Sequence, residues 1–306
     1  MNQKRIIFLV GPTGVGKSAV ALQMAESLNA EIVSCDAMLV YREVAIANDK
    51  PTPEERKRVM HHMIDCVSVT EDFDVARYRK EAIEVIEDIH KRGKVPLIVG
   101  GSGMYVTILL DGIFEANNED PALRRQLQED AKILGVEKLY LRLKKVDPVS
   151  AERINARDER RIVRALEVYV SNRKPISQLQ KERSGLWGKY YIKILALTRE
   201  RQELYDRVNQ RVDQMFERGL IQEVKRLNQL TLSRTAGGLI GLPEVNGFLQ
   251  GKFSIEETKE LMKMNTRHYV KRQLTWFRKE KRLDWVTVNA DQSAGDIAVK
   301  LIEFLR

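Results

Sequence analysis

The chain has 306 residues, a formal net charge of +9, 43% hydrophobic and 31% charged residues. That length suits one large or two modest domains, and the composition excludes a globally disordered chain. No run approaches about 18 consecutive apolar residues, so no membrane span is expected, and Cys35 and Cys66 alone make neither a metal cluster nor a disulfide framework. The first strand begins so near the N-terminus that no signal peptide fits before it, and a cytoplasmic protein is expected. The excess of base is compatible with a polyanionic partner.

The apolar run Ile6–Val10 leads into Gly11-Pro12-Thr13-Gly14-Val15-Gly16-Lys17-Ser18, followed by the helix formers Ala19–Ala25. Strand, glycine-rich loop and helix with the spacing G-x-x-x-x-G-K-S form a phosphate-binding P-loop. Its backbone N–H groups curl toward phosphate oxygens, and the helix start adds positive potential. Lys17 supplies a point charge for the distal phosphate, and the Ser18 hydroxyl suits Mg²⁺.

Residues 31–34 read as a second strand ending at Cys35-Asp36, and an acid past a strand end lies where α/β sheets carry their sites. A turn or cap role for Asp36 is the alternative. Residues 45–53 read as a loop and 54–59 as a short helix. His61 and His62 are adjacent, so their side chains diverge, and no third ligand has metal spacing; packing or hydrogen bonding is expected. Residues 76–92 form an amphipathic helix with Tyr78, Ala82, Val85, Ile86 and Ile89 on one face. The buried strand 95–99 ends in Gly100-Gly101-Ser102-Gly103, where backbone can approach a ligand and Ser102 offers a hydroxyl. A plain strand-to-helix turn is the competing reading.

From residue 115 to 187 strand signals give way to helical periodicity over 122–134, 136–143, 148–154 and 159–171. In the last of these, Ile162, Ala165, Leu166 and Tyr169 form the apolar stripe. Arg157, Arg160, Arg161 and Arg164 fall on the other side, a basic face suited to a nucleic-acid backbone or to solvent. A strand over 191–197 resumes the sheet. A helix over 201–218 carries Arg207 and Arg211 beside its core stripe, within reach of a phosphate. A loop at 237–241 precedes another helix. A long basic helix over 255–281, a strand over 284–288 and a helix over 291–306 complete the chain. The expected fold is α/β, a P-loop NTPase-like parallel sheet flanked by helices (1–114 and 188–306), with an all-helical insertion domain (115–187).

Phosphoryl-transfer enzymes of the P-loop type usually place an acidic Mg²⁺ ligand after an apolar strand. Here the strand 95–99 ends in Gly-Gly-Ser, and Asp36 ends the second strand instead. Phosphoryl transfer therefore stays an alternative. The blocks Gly11–Ser18, Glu31-Ile-Val-Ser-Cys-Asp36, Val40-Tyr41-Arg42, His61-His62-Met-Ile-Asp65, Val99-Gly-Gly-Ser-Gly-Met-Tyr105, Arg161-Ile-Val-Arg-Ala-Leu-Glu167, Leu204–Met215, Gly219-Leu220, Ile240-Gly241 and Lys271-Arg-Gln-Leu-Thr-Trp-Phe-Arg278 occur in order. Together they resemble the tRNA dimethylallyltransferases (the IPP transferase family) over nearly the whole chain.

The resemblance implies transfer of a dimethylallyl group from dimethylallyl diphosphate to N6 of adenosine 37 in the tRNA anticodon stem-loop. It implies that the P-loop holds the diphosphate with Mg²⁺. Lys17, Ser18 and Arg211 would neutralise the leaving group, Ser102 would donate to the bridging oxygen, and Asp36 would be the general base. It implies tRNA contacts at Asp36, Ala37, Met38, Leu39, Ser102, Arg124, Arg160, Arg161, Ile162, Val163 and Arg164. A monomer without membrane association is expected. The sequence departs from the family at Ala37 and Leu39, where Ser and Gln are usual, and at Ser102, usually Thr. It also departs at Glu43–Asn48, usually a more polar loop, and at Leu242-Pro243, usually Tyr-Lys. The alternatives are an isopentenyltransferase acting on free AMP, a P-loop kinase, and a non-catalytic RNA-binding relative.

Overall fold

The computed structural model describes residues 4–114 and 120–305. The chain divides into two compact units, residues 1–109 with 187–306, and residues 110–186. The expected start of the helical insertion at residue 115, and the expected end of the last helix at Arg306, lie outside the described residues.

The first unit opens with β1 (Arg5–Val10), α1 (Lys17–Leu28), β2 (Ala30–Ser34), α2 (Pro53–Arg58), β3 (His61–His62), α3 (Val75–Lys91), β4 (Val95–Gly100) and most of α4 (Gly103–Asp111), whose last two residues fall in the second unit. The second unit holds α5 (Pro121–Leu134), α6 (Val136–Val146), α7 (Pro148–Arg153), α8 (Glu159–Asn172) and α9 (Ile176–Leu179). The chain then returns through β5 (Tyr191–Thr198), α10 (Arg201–Glu217), α11 (Leu220–Leu227), α12 (Leu242–Leu249), α13 (Ile255–Phe277), β6 (Asp284–Thr287) and α14 (Ala294–Phe304).

The six strands form one sheet in the order β3-β2-β4-β1-β5-β6, and every pairing is parallel. Near-continuous apolar strands such as Ile6–Val10 can only be central strands covered on both faces. Ile7, Leu9, Leu97, Leu195 and Leu197 form one core with side chains of α1, α10 and α14. Alternate residues such as Phe8 and Ile98, also buried, point to the other face. There α3 packs on β2 and β4, burying Tyr78, Ala82, Ile86 and Ile89. The chain runs from β1 out to β2 and β3, back to β4, then crosses to β5 on the other side of β1. The reversal puts a crevice at the carboxyl ends of β1, β4 and β5, the usual ligand position in open α/β sheets.

The two histidines have the bonding role expected of them, in a short edge strand that periodicity did not reveal. His61 Nδ1 lies 2.8 Å from the Val59 carbonyl, and His62 Nε2 lies 2.7 Å from the Glu31 carboxylate. Arg92 and Lys94 also close on Glu31, whose side chain is 5% exposed. Burial alone would raise its pKa, but the bonds from His62, Arg92 and Lys94 hold the carboxyl down to about 2.

Among the described residues the only regular elements of the second unit are helices. Leu127, Ala131, Leu139, Leu143, Ile162, Val163 and Leu166 form its core. Asp147 is 1% exposed. It caps α7 through the Ser150 N–H and also accepts the Ser177 N–H, tying α9 to the bundle.

Candidate active site

β1 delivers the chain into the crevice, and Gly16 turns it with φ +102° into the first turn of α1. Residue types with a Cβ rarely adopt that angle. Gly16 offers no side-chain cap, so the first N–H groups of α1 remain available to an anion. Lys17 and Ser18 line a cleft of about 500 Å³ with Asp36, Arg207, Arg211 and Gln273. Lys17 Nζ donates to the Pro12 carbonyl at 2.8 Å. Burial is the main force lowering its pKa to about 7, with Asp36 opposing and Arg211 adding to the shift.

Three arginines clasp the loop. Arg199 Nε donates to the Val15 carbonyl at 2.9 Å, Arg207 Nε to the Gly14 carbonyl at 2.8 Å, and Arg211 Nη1 to Thr13 Oγ1 at 2.7 Å. Arg199 and Arg207 bind loop carbonyls and Arg211 the Thr13 hydroxyl, and Arg207 and Arg211 give the crevice a positive lining. Arg211 also donates to the Asn48 carbonyl at 3.3 Å and lies 3.6 Å from Asp49.

Asp36 follows β2. One of its oxygens accepts the Met38 N–H at 2.8 Å, so the acid makes a tight turn and lines the cleft at once. The Ala37 N–H donates to Ser102 Oγ at 3.1 Å, and the Ser102 N–H to the Cys35 carbonyl at 3.2 Å. The ends of β2 and β4 are thereby stitched together. Ser102 Oγ accepts from Ala37 and so keeps its own O–H as a donor, which in this structure meets the Tyr269 side chain. The Asn48 amide donates to the Met38 carbonyl at 2.6 Å. Glu223, 1% exposed, accepts the consecutive N–H groups of Ala45, Ile46 and Ala47 at 2.8–2.9 Å. A carboxylate from α11 thus fixes the loop where this sequence carries Ala-Ile-Ala.

α13 closes the crevice. Gln273 accepts the Thr13 N–H and donates to the Gly101 carbonyl, both at 2.9 Å. Tyr269, one turn earlier, interacts with the Ser102 hydroxyl and the Gln273 amide. Burial, then the Asp36 charge, pushes its phenol well above the ordinary range. A Cβ at Gly103 would sit 2.2 Å from the Trp276 ring, and one at Gly101 2.3 Å from Gln273 Nε2. The glycine turn after β4 is therefore glycine because α13 lies against it.

Among the described residues no group of three His, Cys, Asp or Glu side chains could hold a metal ion. A hard cation here would need oxygen ligands from a bound polyphosphate, the usual arrangement for Mg²⁺. The exposed Ser18 hydroxyl, in the cleft with Lys17 and Arg211, fits such shared binding.

The family model described as IPP transferase matches residues 39–280. The chain belongs to the IPP transferase family. The P-loop and Asp36 precede the matched range and stand on their own geometry. Relatives include the tRNA dimethylallyltransferase of Carboxydothermus hydrogenoformans, 42% identical over 98% of this chain and 96% of that one. The tRNA dimethylallyltransferase of Thermotoga maritima is 41% identical over 97% and 96%. Among solved structures, the tRNA isopentenylpyrophosphate transferase of Bacillus halodurans matches with a TM-score of 0.71 at 36% identity, covering 99% and 96% of the two chains. A eukaryotic dimethylallyltransferase acting on tRNA matches with a TM-score of 0.84 at 30% identity, covering 98% of this chain and 78% of that one.

Within this IPP transferase, Lys17, Ser18, Asp36, Leu39 and Arg211 meet at one cleft, and Ser102 joins them through Ala37. The arginines of the helical unit divide. Arg160 and Arg161 are exposed on α8, as is Arg157 before it. Arg164 is partly exposed and is engaged within the helical unit. It and Arg124 both reach the Glu167 carboxylate at 3.0 Å, and Glu167 is 1% exposed. A buried carboxylate needs paired charge, and the two arginines supply it. Ile162 and Val163, expected among the tRNA contacts, are 0% and 3% exposed; their side chains pack the helical core and cannot form an RNA surface. Sequence reasoning missed Gln273 and Tyr269 as site residues, and the clasp by Arg199.

Proposed function

We propose that this chain is a tRNA dimethylallyltransferase: it transfers the dimethylallyl group of dimethylallyl diphosphate to N6 of adenosine 37 in the anticodon loop and releases diphosphate. The observation that carries the reading is the cleft in which an arginine-clasped P-loop faces Asp36 and Ser102, while β4 ends in Gly-Gly-Ser without a Mg²⁺-binding acid. That arrangement suits departure of an intact diphosphate more than cleavage within it.

The allylic C–O bond breaks as the N6–C bond forms. The N6 lone pair is delocalised into the adenine ring, so removal of its proton during attack accelerates transfer; Asp36 accepts that proton. Lys17, Arg211 and the N–H groups of the P-loop meet the charge developing on the leaving diphosphate, and the Ser102 proton reaches its bridging oxygen. Ser18 would hold Mg²⁺ together with the diphosphate, and the ion would supply further neutralisation of that charge. The acceptor base must leave its stack to reach Asp36. The exposed Arg157, Arg160 and Arg161 bind tRNA phosphates, which position without reading sequence.

Incubation with dimethylallyl diphosphate and Mg²⁺ plus unmodified tRNA, AMP or ATP, followed by mass measurement of each acceptor, tests the reading. Modified tRNA alone is expected. Modified AMP would favour the free-nucleotide enzyme, and phosphorylated product the kinase.

A further inference from the structure

The P-loop and the Asp36–Ser102 pair belong to different strands, and one side chain of α13 joins them. Gln273 is 6% exposed. Its Oε1 accepts the Thr13 N–H and its Nε2 donates to the Gly101 carbonyl, each at 2.9 Å. Thr13 offers a donor and Gly101 an acceptor, so only one orientation of the amide satisfies both. On the P-loop side the bond continues through Thr13 Oγ1 to Arg211 at 2.7 Å. On the other side Gly101 precedes Ser102, which binds the Ala37 N–H beside Asp36 at 3.1 Å. The structure thus contains one unbroken line from Arg211 to Asp36, with Gln273 at its centre. No room exists for slack, because a Cβ at Gly101 would already collide with the Gln273 amide.

We propose that Gln273 is a positioning residue that sets the distance between the diphosphate cradle and the acceptor base. This rests on the prenyl-transfer reading above. In-line attack needs the amine, the allylic carbon and the leaving oxygen in register, and a displacement of about 1 Å costs on the order of 10²-fold in rate. The P-loop keeps its own phosphate-binding N–H groups without Gln273, so donor binding and attack geometry separate.

The test uses Gln273→Glu in the full chain. The ionised carboxylate accepts from Thr13 but repels the Gly101 carbonyl; the protonated acid can both accept and donate, as the amide does. Burial raises the pKa of such a carboxyl, so the change falls within a workable pH range. Lys17, Asp36, Arg211, Tyr269 and Cys35 face this region, and Gln273→Met, which introduces no charge, shows how much of any pH dependence comes from them rather than from the new carboxyl. At alkaline pH kcat on tRNA should fall roughly 10- to 100-fold, with KM for dimethylallyl diphosphate little changed, and the kcat ratio should climb as pH falls. Gln273→Met, which keeps the volume but has no titratable group, should show the same loss with a flat ratio. A Gln273→Glu ratio that is flat across pH, a rise in KM with kcat intact, or loss of fold in both variants would overturn the positioning role. A parent that binds diphosphate yet modifies no tRNA would instead contradict the function on which the role rests.

Discussion

Asp36 holds a turn N–H with one oxygen and lines the cleft, so its removal should disturb chemistry more than binding. Asp36→Ala should lower the transfer rate by roughly 10²–10⁴-fold, the usual contribution of a general base, while tRNA affinity holds. Single-turnover rates at saturating substrates check this, and equal rates in parent and variant would remove Asp36 from the mechanism. Lys17 makes a second prediction. Burial chiefly lowers its pKa to about 7, so above that pH the empty site holds a largely neutral amine. The unfolded chain binds more protons between about 7 and 10.5, so this group's contribution makes stability rise with pH across that window. Bound diphosphate favours the ammonium, so binding at about pH 8 should take up protons through Lys17. Calorimetry in buffers of different ionisation heat should show less uptake for Lys17→Met; identical uptake would place the titrating group elsewhere.

At the scale of elements, the β2–β3–β4 edge is pinned by Glu31. Its folded pKa is depressed, so its stabilising effect is present above its unfolded value of 4.5 and is lost as pH falls toward about 2. Denaturant unfolding should show an acid-side loss of up to about 3 kcal/mol that Glu31→Gln lacks. An unchanged acid limb in that variant would mean the ion-pair cluster contributes nothing. The principal strands and most helices were legible in the sequence because their signals are local: apolar runs of strand length, a 3.6-residue stripe over α3 and α8, a loop spacing that only the P-loop uses. The two-residue β3 carries no period to detect. Gln273 reaches Thr13 across 260 positions, and no local pattern marks a helix residue that completes a loop at the other end of the chain. Glu223, likewise, is distinguished from any amphipathic-helix glutamate only by the three N–H groups it meets. On α8, helical phase separated the stripe from the arginines, but it could not show that Glu167 is buried and draws Arg164 and Arg124 to itself.

For the molecule as a whole, the net charge of +9 has a defined place to act on the helical unit. Replacing Arg160 and Arg161 with Gln should leave the fold intact, since both are exposed and such changes usually cost within about 0.5 kcal/mol. The slope of log tRNA affinity against log salt should drop by up to about 0.7–0.9 per lost phosphate contact. Parallel slopes would mean that this face never meets RNA. The central claim, that an arginine-clasped P-loop serves a leaving diphosphate during transfer to tRNA, has its most direct test in the stoichiometry of a single turnover. Dimethylallyl diphosphate labelled in the prenyl group and in the phosphates is mixed with enzyme, Mg²⁺ and unmodified tRNA, then quenched. Equal amounts of prenyl label on adenosine 37 and intact diphosphate in solution are predicted; orthophosphate release, or diphosphate release without label on the tRNA, would contradict it.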